Sequence, residues 1–127
     1  LVNANGLTFE AANARHAHEW TIWRDIELPE GKYLIPGVVS HSTNVVEHPE
    51  LVAQRIRQFA DIVGEERVVA STDCGLGGRI YPSIAWAKRA ARGLGGGRAS
   101  MCAPDCWPGA GGGDLWPPRA LFQGFFR

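Results

Sequence analysis

Three short apolar runs, opening near residues 7, 33 and 67, are what most limits how this chain can fold. Strand starts about 30 residues apart are the spacing of βαβ units, in which successive strands lie parallel and a crossover segment covers the sheet. The runs are LTFEAA (7–12), YLIPGVV (33–39) and RVVAST (67–72), each apolar enough for a strand with both faces covered. Pro36 and Gly37 predict a bulge or irregular position in the second.

The segments between the runs supply the helices. In RHAHEWTIWRDI (15–26), Trp20, Trp23 and Ile26 fall three residues apart, which predicts one helical face. The clearest helix is HPELVAQRIRQFADIVG, with Pro49 suited to the first helical position, Glu50 where the helix dipole favours an anion, and Gly64 as a stop. Leu51, Val52, Ile56, Phe59, Ala60 and Val63 form its apolar stripe, and Gln54, Arg57, Gln58 and Asp61 face away. A third helix opens near Pro82 with PSIAWAKRAA. A closed barrel takes eight strands over about 250 residues, so three units cannot close one or cover both edges of a sheet. The chain, which starts at Leu1 rather than Met, therefore reads as the end of a larger fold.

Composition changes after Arg92. The last 35 of the 127 residues hold 9 of the 16 Gly and 4 of the 8 Pro, and they show neither a helical nor a strand period. The expected division is therefore 1–92 as βα units and 93–127 as an irregular tail. Trp107, Trp116, Phe122, Phe125 and Phe126 make that tail too apolar for an ordinary linker. Two origins stay open: a shifted reading frame in a G+C-rich gene, whose Gly, Ala, Arg and Pro codons suit such a bias, or a natural disordered tail. Reading the coding DNA in its other two frames separates them.

With 13 Lys+Arg against 13 Asp+Glu, the chain lacks the excess positive charge that draws a protein to nucleic acid or an anionic membrane, and neither partner is expected. No apolar run approaches the roughly 20 residues of a membrane span, and the first residues lack a signal-peptide pattern, so a cytoplasmic location is expected. Cys74, Cys102 and Cys106 are too few and too uneven for a disulfide scaffold.

Parallel α/β folds build their sites from the loops at the C-terminal ends of the strands. Here those loops carry Asn13, Arg15, His16 and His18, then Ser40, His41, Thr43, Asn44 and Glu47, then Asp73, Cys74, Gly75, Gly77, Gly78 and Arg79. Cys74 stands out because a thiolate at a strand mouth can reach a metal or a substrate, though a buried structural thiol is the common use of a single Cys. The GLGGR loop reads either as a plain turn or as backbone N–H groups with Arg79 that hold a phosphate or carboxylate. His16 and His18, two residues apart, do not share a helical face. His41 lies on the active face, and His48 before Pro49 suits a helix entry. Cys102 and Cys106 make half a metal site with no second pair.

The segments ANARHAHEW, YLIPGVVSHSTNVVEHPELVAQRI and VVASTDCGLGGRIYPSIAWAK together resemble the C-terminal end of the cobalamin-independent methionine synthase family. The likeness is nearest to its single-barrel members, including the epoxyalkane:coenzyme M transferase type. It is collinear over about residues 3–91 and leaves out the tail. The resemblance implies an α/β fold, the C-terminal part (about three βα units) of a (β/α)8 TIM barrel, followed by the irregular tail. It also implies a zinc ion that binds a small thiol such as homocysteine for attack on an alkyl donor.

In that family the Cys of the DCG motif, here Cys74, is a zinc ligand, and its partners come from an upstream His-x-Cys motif and an additional Glu. The resemblance thus leaves Cys74 as the single ligand retained. A single ligand does not hold zinc tightly, so the chain alone is expected to lack both a tight site and transferase activity, while the complete parent has both. Asn44 and Arg79 are expected to line the substrate pocket, and no catalytic role is carried onto His41. The leading expectation is a fragment of a zinc-dependent thiol alkyltransferase that moves a methyl group from a methyltetrahydrofolate donor to homocysteine. Two alternatives are a barrel enzyme holding a phosphorylated substrate at Gly75–Arg79, and a non-functional truncated product.

Overall fold

The computed structural model describes residues 3–78 and 80–99, so Arg79 and the segment from Ser100 onward, with Cys102 and Cys106, lie outside the described residues. Three strands, β1 (Gly6–Phe9), β2 (Tyr33–Val39) and β3 (Ser71–Thr72), form a parallel sheet in the order β1-β2-β3. Helix α1 (Pro49–Val63) connects β2 to β3, and α2 (Pro82–Ala99) follows β3. This mixed α/β arrangement is consistent with part of a TIM-barrel-like fold. No described helix is long and apolar enough to cross a membrane.

Helix α1 forms as its punctuation predicts. His48 caps it by accepting the Glu50 N–H at 3.1 Å, Pro49 opens it, and Gly64 closes it at a φ of 96°. Its inward face carries Val52, Ala53 and Phe59, all buried, whereas Leu51 is 40% exposed and drops out of the expected stripe. Phe59 meets Leu34, Leu28 and Ala11 in one apolar cluster, and Val52 meets Val38 and Val39 in a second. Strand β2, buried from Pro36 to Val39, is the centre of the sheet. Its expected irregularity lies at the β3 side, where the register shifts between Gly37 and Val39. Upstream of β3, an isolated Leu34–Val68 bridge and a Val69 N–H bond to the Leu34 carbonyl at 2.8 Å continue the pairing.

Two expectations are corrected. The helix expected over 15–26 is a short 3-10 segment, Glu19–Arg24. A 3-10 turn repeats every three residues, so it aligns Trp20 and Trp23 as well as an α-helix would. Both pack on the first cluster, with Trp23 stacked on Phe9 at 5.8 Å, while Ile26 is past the segment's end and 51% exposed. The second correction concerns 93–99, expected to be irregular: α2 runs on through Ala99. A side chain at Gly95 would put its Cβ 2.6 Å from the Val52 Cβ and 2.8 Å from the Pro49 carbonyl. Glycine there lets α2 cross α1 at close range, and that contact outweighs glycine's low helix propensity, a cost of about 1 kcal/mol.

Candidate metal centre

Each strand of the sheet ends in a potential metal donor. Glu10 follows β1, His41 lies two residues past β2, and Cys74 lies two residues past β3. Neighbouring strands are about 4.8 Å apart, so side chains at adjacent strand mouths can converge. One ligand atom from each of the three lies within 4.8 Å of the others. The Cys74 thiol donates to Glu10 Oε1 at 2.9 Å, and His41 Nδ1 stands 3.9 Å from that same oxygen. Cys74 is exposed, which opens the cluster on one side. His41 Nδ1 is buried without a hydrogen-bond partner, and among the described residues it is the one buried side-chain nitrogen or oxygen so placed. Burying such an atom unpaired costs free energy that a bound cation would offset.

The donor set fits zinc. Bonds of about 2.0–2.3 Å in a tetrahedral site place donor atoms roughly 3.3–3.8 Å apart, between the two distances measured here. Thiolate, imidazole and carboxylate are zinc's customary protein ligands, and three of them leave one position for a substrate.

A second set of contacts holds the donors. Asp73, buried beside Cys74, accepts the Ala11 and Ala12 N–H groups through Oδ1 at 2.9 and 2.8 Å and the Asn13 side-chain amide through Oδ2 at 3.0 Å. Asn13 donates in turn to Glu10 Oε2 at 2.7 Å. Gly37 makes this possible, because a Cβ there would lie 2.3 Å from Asp73 Oδ1 and 2.6 Å from its Cα. The hydrogen bond from the Cys74 thiol holds the Glu10 carboxyl below the usual range, with Asn13, His41 and His16 acting the same way against partial desolvation. His16 reaches the Glu19 carboxylate at 2.8 Å and stands 3.9 Å from Glu10 Oε2.

On the β2 side, buried Glu47 accepts the Ser40 N–H at 2.7 Å and the ammonium of Lys88 at 2.8 Å. Lys88, from α2, is fully buried and also donates to the Val45 carbonyl.

The structure places two further potential donors, Glu10 and His41, beside Cys74, the ligand that the resemblance implies. Asn44 is exposed in the loop between β2 and α1, and Arg79 lies outside the described residues. His18 is exposed and makes no part of the cluster. Gly77 and Gly78 border a shallow groove of about 520 Å³ along β3 and α2, with Thr72, Trp86, Arg89 and Arg92. Sequence reasoning missed Glu10, which fell inside the strand expected over 7–12, whereas β1 ends one residue before it at Phe9.

No protein-family model matches the chain, and no curated protein matches it by sequence. Among solved structures it is similar to a B12-independent methionine synthase from Shewanella sp. W3-18-1, in complex with selenomethionine, with a TM-score of 0.65 and 21% identity. What this likeness shows is the fold. The alignment covers 76% of this chain and 26% of the synthase, so the chain spans about a quarter of that protein's length.

Proposed function

We propose that this chain is the C-terminal, metal-holding part of a (β/α)8 barrel that alkylates small thiols, by methyl transfer from a methyltetrahydrofolate donor to homocysteine in the cytoplasm. The observation that carries the reading is the convergence of Glu10, His41 and Cys74 at the mouths of three adjacent parallel strands. The similarity in fold to a methionine synthase supports it. Cys74 and Glu10 would hold a zinc ion, with His41 Nδ1 as a third donor. When bound, zinc supplies Lewis acidity that lowers the pKa of a coordinated thiol.

The chain's own residues have separate tasks. Asp73 and Asn13 orient Glu10, and the buried Glu47 fixes the backbone next to His41. The open side at Cys74 admits the substrate thiol. Asn44 and Arg79 belong to the proposed substrate pocket, and the alkyl-donor subsite belongs to preceding barrel strands. On this reading the chain alone binds metal and thiol but transfers no alkyl group.

Cobalt(II) in place of zinc tests the site. In the full chain with Cys102→Ser and Cys106→Ser, one equivalent of cobalt should give a thiolate-to-cobalt absorption band that Cys74→Ser abolishes and Glu10→Gln weakens. Homocysteine should shift the band and homoserine should not. A chain that takes up no cobalt, or a band that survives Cys74→Ser, refutes the reading.

A further inference from the structure

Helix α1 sends one side chain to the backbone just past β1 and to the end of β2. Arg55 donates through Nη1 to the Val38 carbonyl at 2.8 Å and through Nη2 to the Ala12 carbonyl at 3.0 Å. Ala12 is two residues past Glu10, and Val38 is three residues before His41. Nη1 also stands 3.8 Å from Glu47 Oε1, the oxygen that accepts the Ser40 N–H next to His41. Burial lowers the pKa of Arg55 from its high reference value, and the Glu47 and Asp73 carboxylates oppose that. The Asp73 side chain grips Ala11, Ala12 and Asn13, and Glu47 grips Ser40. The guanidinium ties these two clamps together.

We propose that Arg55 is a positioning residue for the metal centre: its fork fixes the Glu10-bearing and His41-bearing segments at the separation one ion requires. The inference rests on the reading of Glu10, His41 and Cys74 as metal donors. It goes beyond that reading by assigning the spacing to a residue that is not one of the three donors. The geometry needs an arginine. A planar fork presents separate N–H groups to two carbonyls at once, whereas a lysine ammonium on a flexible stem is a single point that satisfies one side and leaves the other carbonyl short of a donor. Because the segments are held through their backbones, loosening the fork changes where the donors sit while their chemical identity stays the same.

The test is cobalt titration of the full chain carrying Cys102→Ser and Cys106→Ser, comparing the parent with Arg55→Lys, Arg55→Met and, as a control on the same helix, Arg57→Lys. Changes to groups that orient metal ligands typically cost about 10- to 100-fold in metal affinity. That loss is expected for both Arg55 variants, together with a changed visible ligand-field spectrum, while circular dichroism stays that of the parent. Arg57, paired with Glu50 on the partly exposed face of α1, should leave affinity and spectrum unchanged when replaced. Parental affinity and spectrum in a folded Arg55→Lys chain overturn the proposal. So does loss of the fold in both Arg55 variants, which would make the residue one needed for folding rather than for positioning. Absence of cobalt binding in the parent would instead overturn the site itself, and the inference with it.

Discussion

Asp73→Asn isolates what the charge beside Cys74 contributes, because the substitution keeps shape and changes only one oxygen into an amide nitrogen. In the native chain Oδ1 accepts two backbone N–H groups and Oδ2 accepts the Asn13 amide. The retained oxygen can still accept the Ala11 and Ala12 N–H groups, but as a neutral acceptor, and charge-assisted bonds are roughly twice as strong as neutral ones. The new NH2 faces the Asn13 NH2, donor against donor. Asn13 cannot relieve this by flipping, because its Oδ1 accepts the Arg15 N–H at 3.0 Å and its amide serves Glu10 Oε2 at 2.7 Å. A flip would break the first and turn an oxygen toward the Glu10 carboxylate.

One lost bond to a charged group is worth about 1.5–3 kcal/mol. Weakening of the other two bonds adds to this, and relaxation of an Asn13 loop that borders solvent subtracts from it. The expected loss is about 2–3 kcal/mol in urea unfolding of the full chain followed by circular dichroism. Cobalt affinity should fall in the same variant, since the Asn13 amide that anchors Glu10 Oε2 loses its own hold on Asp73. If the variant unfolds within about 0.5 kcal/mol of the parent, the range of ordinary surface changes, the account of Asp73 as the clamp between β1 and β3 is wrong.

Other outcomes follow from the same contacts. Gly37→Ala forces a methyl to 2.3 Å from Asp73 Oδ1, so it should destabilise the chain by about 1–3 kcal/mol, the usual cost of overpacking, and lower cobalt affinity as well. Lys88→Met leaves the buried Glu47 carboxylate without its nearest cation, and breaking a buried pair from one side costs about 3 kcal/mol. Urea unfolding of Glu47→Gln/Lys88→Met should recover part of that loss, because the double change removes both charges.

The sequence carried the parts of the fold that rest on local punctuation. Pro49 and Gly64 bracket α1 within a residue of the expected ends, and the apolar run 33–39 coincides with β2. It misled where two structures share one pattern, as at Trp20 and Trp23, whose spacing fits a 3-10 turn and an α-helix alike. It misled again at 93–99, because Gly95, one of the glycines that read as breakers, is what α2 needs to approach Val52. At the site, Cys74 was legible from its place at a strand mouth. Glu10 was not, since it fell inside the strand expected over 7–12, whereas β1 ends at Phe9 and the fold brings a thiol to 2.9 Å from Glu10. Lys88 and Arg55 resemble solvated helix positions in sequence, and only the packing of α1 and α2 on the sheet gives them buried carbonyl and carboxylate partners.

The two sides of the sheet's last strand bear on how much of the chemistry the chain can hold. β3 pairs with β2 on one side and is the terminal strand on the other. Along it, Thr72 shares a groove with Trp86, Arg89 and Arg92 of α2, and Trp86 is 67% exposed. An exposed aromatic beside a parallel strand that has one neighbour among the described residues is unusual, because parallel strands are ordinarily covered on both sides and by crossover helices. The strand mouths present the opposite case, with Glu10 bonded by buried Asn13 and the backbone next to His41 bonded by buried Glu47. On the proposed reading, metal binding should therefore survive in the isolated chain while alkyl transfer does not, since the wall that would carry the donor stands beyond β1 and β3. Uptake of cobalt and homocysteine without turnover is the expected pairing. Turnover by the 127-residue chain would mean that three strands suffice for both halves of the reaction.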